Sequence, residues 1–102
     1  RAISDYTVVI NIGESYFQAV SYFNRGVVKN MSGRYAEAIP DFTQAITIDR
    51  KMAAAFFHRG IARFKTGDGD GTLEDFIQAA RLGDPDAVRL LDATAPDWRQ
   101  MK

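Results

Sequence analysis

The sequence contains no cysteine and a single histidine, His58. The lack of cysteine excludes disulfide bonds and thiolate metal sites, and one histidine cannot form a histidine metal cluster. There are 13 basic and 13 acidic residues, so no concentrated positive field is present to hold nucleic acid non-specifically. No apolar run approaches the roughly 20 residues that a membrane-spanning helix needs. We therefore expect no cofactor, no metal, no nucleic-acid partner and no membrane insertion.

The chain has 102 residues, of which 46% are hydrophobic and 25% are charged. These values are ordinary for a globular chain, and the length suits one domain or a short array of repeats. No signal-peptide pattern opens the sequence. Because the first residue is Arg1 rather than methionine, we expect a piece of a longer protein. The localisation stays open, because targeting segments would then lie outside this piece.

A pentapeptide recurs along the chain. Residues 22–26 (YFNRG) return as residues 56–60 (FFHRG), 34 positions later. The same offset relates four further pairs of residues: Gly33 and Gly67, Asp41 and Asp75, Phe42 and Phe76, Ala45 and Ala79. Self-similarity at a fixed period of this length is typical of repeat proteins, whose units must stack because one unit cannot bury its apolar face alone.

Turn and capping residues divide the chain into predicted helices over residues 2–12, 16–31, 35–49, 52–66, 72–82 and 85–94. Gly13 is predicted to end the first helix and Ser15 to cap the second. Pro40 predicts a late start or a mild kink in the third. Residues 66–71 are predicted to form the most flexible turn. Asp84 and Pro85 should begin the last helix, which Pro96 ends.

Residues 2–12 need a separate argument, because residues 6–12 alone look like a β-strand. Six of the eleven positions in residues 2–12 are identical to residues 38–48. This match outweighs the local β propensity, so both stretches are predicted to form the same kind of helix.

These features resemble the tetratricopeptide repeat (TPR) family, whose 34-residue unit is a helix–turn–helix. The residues that carry the resemblance are Tyr22, Gly26, Ala38 and Phe42 in one repeat and Phe56, Gly60, Phe76 and Ala79 in the next. The resemblance implies an all-α fold of antiparallel helix–turn–helix repeats, stacked as a short right-handed superhelical array over residues 1–94. Its parts would be residues 2–12 (the second helix of a partial repeat), residues 19–52, residues 53–86 and a capping helix at residues 85–94, followed by a tail at residues 95–102.

The chain departs from the family pattern at two periodic positions. Arg25 and Arg59 stand where the family usually has leucine. Because Asp41 and Asp75 recur with the same period, we predict that Arg25 pairs with Asp41 and Arg59 with Asp75 inside the helix pairs. The alternative is that these residues are independent surface charges.

In this family the first helices of successive repeats line a concave groove that holds the ligand. The resemblance maps that groove onto Val20, Phe23, Asn24, Val27, Met31, Phe57, His58, Ile61, Phe64, Lys65 and Leu91, with Asp92 beside Leu91. Contact between neighbouring first helices would account for much of Phe23, Val27 and Ile61. An apolar peptide groove with Asn24, His58 and Lys65 at its edges is the sharper alternative.

Three other readings of these residues fail. A family variant that grips chaperone tails needs cationic residues where Phe23 and Phe57 stand, so no chaperone-tail binding is predicted. Asp68, Asp70 and Thr72 suggest a calcium loop, but the glycine and glutamate that such a loop requires are missing downstream. His58 has no serine or cysteine nucleophile in motif context, so we expect no enzyme.

The predicted function is a protein–protein interaction scaffold that binds a peptide or helix of a partner in the groove. Two alternatives stay open. One is a self-association module in which a second copy, or the tail with Trp98, fills the groove. The other is a regulatory domain excised from a larger protein. The apolar face of residues 2–12 (Ile3, Tyr6, Ile10) further suggests a truncated array or a homodimer formed through an end or the groove.

Overall fold

The computed structural model describes the backbone of residues 2–101 and the side chains of residues 13–101. The fold is all-α, and the described residues form no β-strand. The elements are α1 (Ala2–Met31), α2 (Tyr35–Ile48), α3 (Ala53–Lys65), α4 (Gly69–Arg81), α5 (Pro85–Thr94) and a 3₁₀ helix (Trp98–Gln100). Helices α1 and α2 form one helix–turn–helix repeat, and α3 and α4 form the next. The right-handed superhelical twist stays a prediction.

Helix α1 runs without a break from Ala2 to Met31, so the predicted helix end at Gly13 and the cap at Ser15 are wrong. Glycine inside a helix costs about 1 kcal/mol relative to alanine, but it ends a helix only where the backbone turns left-handed, and Gly13 does not turn so. Residues 2–12 are helical, as predicted. Their apolar face (Ile3, Tyr6, Ile10) lies outside the described side chains, and their assignment to a partial repeat stays a prediction.

Three glycines turn the chain between helices. Gly33, Gly67 and Gly83 have φ angles of 77°, 89° and 97°, a left-handed conformation that side chains disfavour. In each turn the amide of the following residue donates to a carbonyl of the last helical turn, as from Arg34 to Lys29 at 2.8 Å. This is the hydrogen bond of a Schellman motif, which satisfies carbonyls at a helix end. The tight turn predicted at residues 32–34 is confirmed.

Helix α4 begins at Gly69, three positions before the predicted start at Thr72. The carboxylate of Asp68 accepts a hydrogen bond from the amide of Gly71 at 2.9 Å and so caps the helix earlier. The predicted flexible turn over residues 66–71 is therefore wrong for residues 69–71. Helix α2 begins at Tyr35, as predicted for residues 35–49, and Pro40 lies inside it; of the two effects expected of Pro40, the late start does not occur.

In each repeat, one glycine–phenylalanine contact holds the two helices together. A Cβ atom on Gly26 would lie 2.7 Å from the ring of Phe42, and one on Gly60 would lie 2.7 Å from the ring of Phe76. Only glycine permits this approach, because real Cβ atoms do not come so close to carbon. Alanines complete the packing around Phe42; Ala38, Ala45, Ala55 and Ala62 are all fully buried.

The 34-residue period stops at the connection between α4 and α5. Helix α5 begins at Pro85, 32 residues after the start of α3 at Ala53. Burial follows the shifted register: Ala87 is fully buried like Ala55, whereas Arg89, at the 34-residue offset from Ala55, is exposed. As predicted, α5 begins with Asp84 as its cap and Pro85 at its first position, and it ends before Pro96.

The tail folds back onto α4 and α5. Trp98 is only 4% exposed and packs in a cluster with Ile77, Ala80 and Leu91. Its indole Nε1 donates to the carboxylate of Asp92 at 2.8 Å. The tail thus covers the outer face of the last repeat.

Candidate functional site

A carboxylate inside each repeat is held by two basic side chains of the preceding helix. Arg25 donates to Asp41 through Nε at 2.9 Å and Nη2 at 2.7 Å, and Lys29 Nζ lies 3.0 Å from the same carboxylate. These hydrogen bonds hold the pKa of Asp41 below its usual value, mainly through Arg25, against the opposing effect of burial. The predicted pairing of Arg25 with Asp41 is confirmed.

The second repeat contains the same arrangement around Asp75. Arg59 donates to it through Nε at 2.9 Å and Nη2 at 2.8 Å, and Arg63 Nη1 donates at 3.0 Å. The predicted pair of Arg59 and Asp75 is therefore confirmed as well. Reasoning from the sequence missed the second cation in each repeat, although Lys29 and Arg63 recur at the same 34-residue offset. Both carboxylates are buried and paired, so loss of either one would leave its basic partners without a counter-charge.

Several predicted groove residues lie between helices. The ring centroid of His58 is 5.5 Å from that of Phe23, 6.0 Å from that of Phe42 and 5.7 Å from that of Phe57. Burial among these rings lowers the pKa of His58, and the charges of Asp84 and Asp86 offset this only partly. Val27 also packs against the cluster around Phe42. These positions are those expected from direct contact between α1 and α3, the first helices of the two repeats.

Four other predicted groove residues do not meet in one place. Asn24 and Met31 are exposed and Val20 is half-buried. Lys65 is exposed, and its Nζ lies 5.9 Å from the ring centroid of Tyr35. An apolar pocket lies between α3, α4 and α5. None of these four residues is among the described residues that line it.

That pocket, here called the end pocket, brings together the three remaining predicted residues, Ile61, Phe64 and Leu91. It lies between α3, α4 and α5 and has a volume of about 560 Å³. The complete lining is Ile61, Phe64, Gly69, Thr72, Leu73, Phe76, Leu90, Leu91 and Thr94. The volume falls within the range of about 300–1,000 Å³ that is typical of ligand sites.

The lining of the end pocket is almost wholly apolar. Its two polar side chains are already bonded to their own helices: Thr72 Oγ1 donates to the carbonyl of Asp68 at 2.8 Å, and Thr94 Oγ1 to that of Leu90 at 2.7 Å. Phe64 is 65% exposed at the edge of the pocket. The arrangement can therefore bind an apolar group by contact and shape.

The described part of the chain contains no candidate metal site and no candidate membrane-spanning helix. No group of three or more histidine, cysteine, aspartate or glutamate side chains in it could hold a metal ion. Of the helices that the structure describes, none combines the length and the apolarity needed to cross a membrane. A second cavity at the α1–α2 end has a mixed lining that includes Phe17, Arg25, Gln44 and Ile48. The end pocket is thus the better candidate for recognition of an apolar group.

Reasoning from the sequence missed the contribution of α4 to this site. Leu73 and Phe76 form one wall of the end pocket, and Leu90 joins them from α5. One signal was present in the sequence: Gly69 stands where the first repeat has Tyr35. A glycine in place of a large ring leaves room beside apolar neighbours.

Comparison with known proteins adds no family. No protein-family model matches the chain, and a search of curated proteins finds no similar sequence. The TPR resemblance is therefore carried by the periodic residues alone.

Proposed function

We propose that the chain is a TPR-type protein–protein interaction scaffold that binds a peptide or helix of a partner. In this proposal the end pocket is the anchoring part of the concave groove. The observation that carries the proposal is the open, apolar end pocket, in which Ile61, Phe64 and Leu91 of the predicted groove come together. Exposed apolar surface of this kind marks an interaction site more often than chance, because it costs free energy when it is left in water.

The chemistry of the end pocket supports binding of a partner side chain. The lining residues named above include no titratable group, so affinity there would come from burial of apolar surface. A few buried aromatic or aliphatic anchors carry most of the binding energy at protein interfaces. Phe64 is a suitable anchor, because its ring is mostly exposed and it borders a cavity.

The proposal is tested by affinity capture with matched variants. Phe64→Glu places a charge at the edge of the end pocket, and Val28→Glu places the same charge at a position that is 60% exposed and belongs neither to the pocket nor to the predicted groove. Proteins captured by the wild type and by Val28→Glu should be lost with Phe64→Glu. Identical partner sets for all three proteins would contradict the proposal. Circular dichroism confirms that both variants are folded.

Self-association is the second candidate function, and one observation favours it. Tyr16 and Phe17 on α1 are 60% and 71% exposed, and their ring centroids lie 6.2 Å apart. Two neighbouring exposed rings are a candidate contact for a second copy. Light scattering of the wild type and of Phe17→Ser tests this candidate: a dimer that Phe17→Ser dissociates supports it, and a monomer at high protein concentration excludes it.

A further inference from the structure

The two repeats differ at the position that follows each tight turn. In the first repeat this position holds Tyr35, which is half-buried and packs against the cluster around Phe42. In the second repeat the same position holds Gly69, the first residue of α4. A Cβ atom on Gly69 would meet no described atom within 4 Å, so open space lies where the side chain would be.

Four of the surrounding positions carry residues of similar size in the two repeats, whereas Phe64 of the lining corresponds to Asn30. At the 34-residue offset, the lining residues Ile61, Thr72, Leu73 and Phe76 correspond to Val27, Ala38, Ile39 and Phe42. In the first repeat these walls enclose a packed core that includes the ring of Tyr35. In the second repeat the same walls border the end pocket. The lack of a ring at residue 69 therefore contributes to the end pocket, together with the two-residue register shift of α5.

The chain's own tail does not take the place of that ring. Trp98 is buried in the cluster with Ile77 and Leu91 and is not among the residues that line the end pocket, and its indole is bonded to Asp92. The carbonyl of Met101 accepts a hydrogen bond from Arg81, which holds the end of the tail against α4. Helix α5 ends at Thr94, which itself lines the pocket. The end pocket thus stays open in the folded chain.

We propose that the end pocket binds an aromatic side chain, tyrosine or phenylalanine, that a partner protein presents to it. This inference rests on the proposed scaffold function and names the group that would be recognised. The matching site of the first repeat already accommodates an aromatic ring, that of Tyr35. The rings of Phe64 and Phe76 line the end pocket and offer the edge and face contacts that aromatic pairs prefer.

The polarity of the site favours an aromatic group over a charged one. Burial of a charge against this apolar lining would be costly, because the hydroxyls of Thr72 and Thr94 already donate to their own helices. A phenol ring can bury its apolar body and keep its hydroxyl at the opening of the pocket, where water or a partner satisfies it.

The test uses p-cresol, which is the side chain of tyrosine as a free molecule. It is titrated into the purified chain carrying ¹³C-labelled methyl groups, and the signals of Ile61, Leu73 and Leu90 are followed by NMR. We expect saturable shifts at these methyl groups, and weaker binding of cyclohexanol, which has a similar size but no aromatic ring. The variant Gly69→Tyr restores the ring of the first repeat and should weaken p-cresol binding at least about 10-fold. Val28→Ala, outside both the pocket and the predicted groove, should bind p-cresol like the wild type.

Three results would overturn the proposal. They are the absence of saturable shifts, equal binding of p-cresol by wild type and Gly69→Tyr, and equal binding of cyclohexanol and p-cresol. If dilution alone shifts the same methyl signals, and Phe17→Ser abolishes that effect, the occupant is a second copy and the partner proposal is wrong. Because p-cresol binding needs no partner, its outcome is independent of affinity capture. If Phe64→Glu captured the same proteins as the wild type, the proposed function would be contradicted. The result of the p-cresol titration would not be affected by that outcome.

Discussion

Tyr35 and Gly69 occupy the same position in successive repeats, 34 residues apart and directly after a tight turn. The ring of Tyr35 packs into the core of the first repeat, whereas Gly69 forms part of the lining of the end pocket. The missing ring at residue 69 is thus one difference between the filled core and the open pocket, beside the register shift of α5.

Replacement of the helix-packing glycines should destabilise the fold. In Gly26→Ala the new methyl group would lie 2.7 Å from the ring of Phe42, which is fully buried and has no free space to move into. We expect a loss of about 1–3 kcal/mol in the free energy of unfolding, as for other overpacked cores. Gly60→Ala should cost less, because the ring of Phe76 borders the end pocket and can shift into it. Urea denaturation measures both variants.

Gly13→Ala is the matched control, since a Cβ atom there would meet no described atom within 4 Å. Alanine is the better helix former, so this variant should gain up to about 1 kcal/mol. If all three substitutions changed stability alike, close helix contact at Gly26 and Gly60 would not be the cause.

Loss of the Asp75 carboxylate should be more costly than loss of Asp41. Arg59 is only 13% exposed, whereas Arg25 is 60% exposed. Asp75→Asn leaves a largely buried guanidinium without its charge partner and should cost about 3 kcal/mol. Asp41→Asn leaves Arg25 in water, where the lost charge is partly compensated. Chemical denaturation of both variants gives the comparison.

A double-mutant cycle separates this pairing from independent effects of the two residues. The cycle combines Arg59→Gln with Asp75→Asn, and the same substitutions at Arg25 and Asp41 provide the reference cycle. The two residues of a bonded pair should show a coupling energy, and it should be larger for Arg59 and Asp75. Additive effects in the Arg59 cycle would contradict a bonded pair.

Stability should fall as the pH decreases below about 6.5, because of His58. Burial lowers the pKa of His58 in the folded chain below the ordinary value of 6.5. The unfolded chain therefore binds more protons between the two pKa values, and the stabilisation that is complete above pH 6.5 is lost as the pH falls to the folded value. His58→Gln should flatten this part of the pH profile. An unchanged profile in the variant would show that another group is responsible.

Trp98 should stabilise the docked tail, and its fluorescence should show whether the tail is docked. Trp98→Ala removes a buried indole and should cost about 3–5 kcal/mol, whereas Trp98→Phe loses mainly the hydrogen bond to Asp92 and should cost about 1 kcal/mol. Trp98 is the only tryptophan, so its fluorescence should shift to longer wavelength when the tail undocks. A long emission wavelength in the folded wild type would contradict a buried indole.

The sequence allowed much of the fold to be predicted, because the period ties distant residues to one another. The recurrence of Arg25 with Asp41 and of Arg59 with Asp75 predicted two ion pairs that the structure contains. Gly33 and Gly83 predicted turns, because few other residues adopt a left-handed backbone easily. Helix boundaries that depend on a single local hydrogen bond were harder to predict. The start of α4 is an example, because the Gly71 amide donates to the carboxylate of Asp68 and caps the helix there.

The candidate site was less predictable, since it depends on where the period stops. The register of α5 differs from that of α3 by two residues, and the period alone does not reveal that shift. The repeat position of His58 and Phe23 predicts that they line the groove. The period alone does not predict that their rings also lie against Phe42, which follows from the close stacking of the two repeats there. The contribution of Gly69 could have been found by comparing it with Tyr35.

The most direct test of the central claim is the free energy of unfolding of Gly69→Tyr, measured by urea denaturation beside the wild type. If the end pocket is the counterpart of the Tyr35 site, the new ring enters open apolar space and replaces a glycine in a helix. The variant should then gain about 1–2 kcal/mol. Unchanged or reduced stability would show that the space beside Gly69 does not accept a ring, and would contradict the claim.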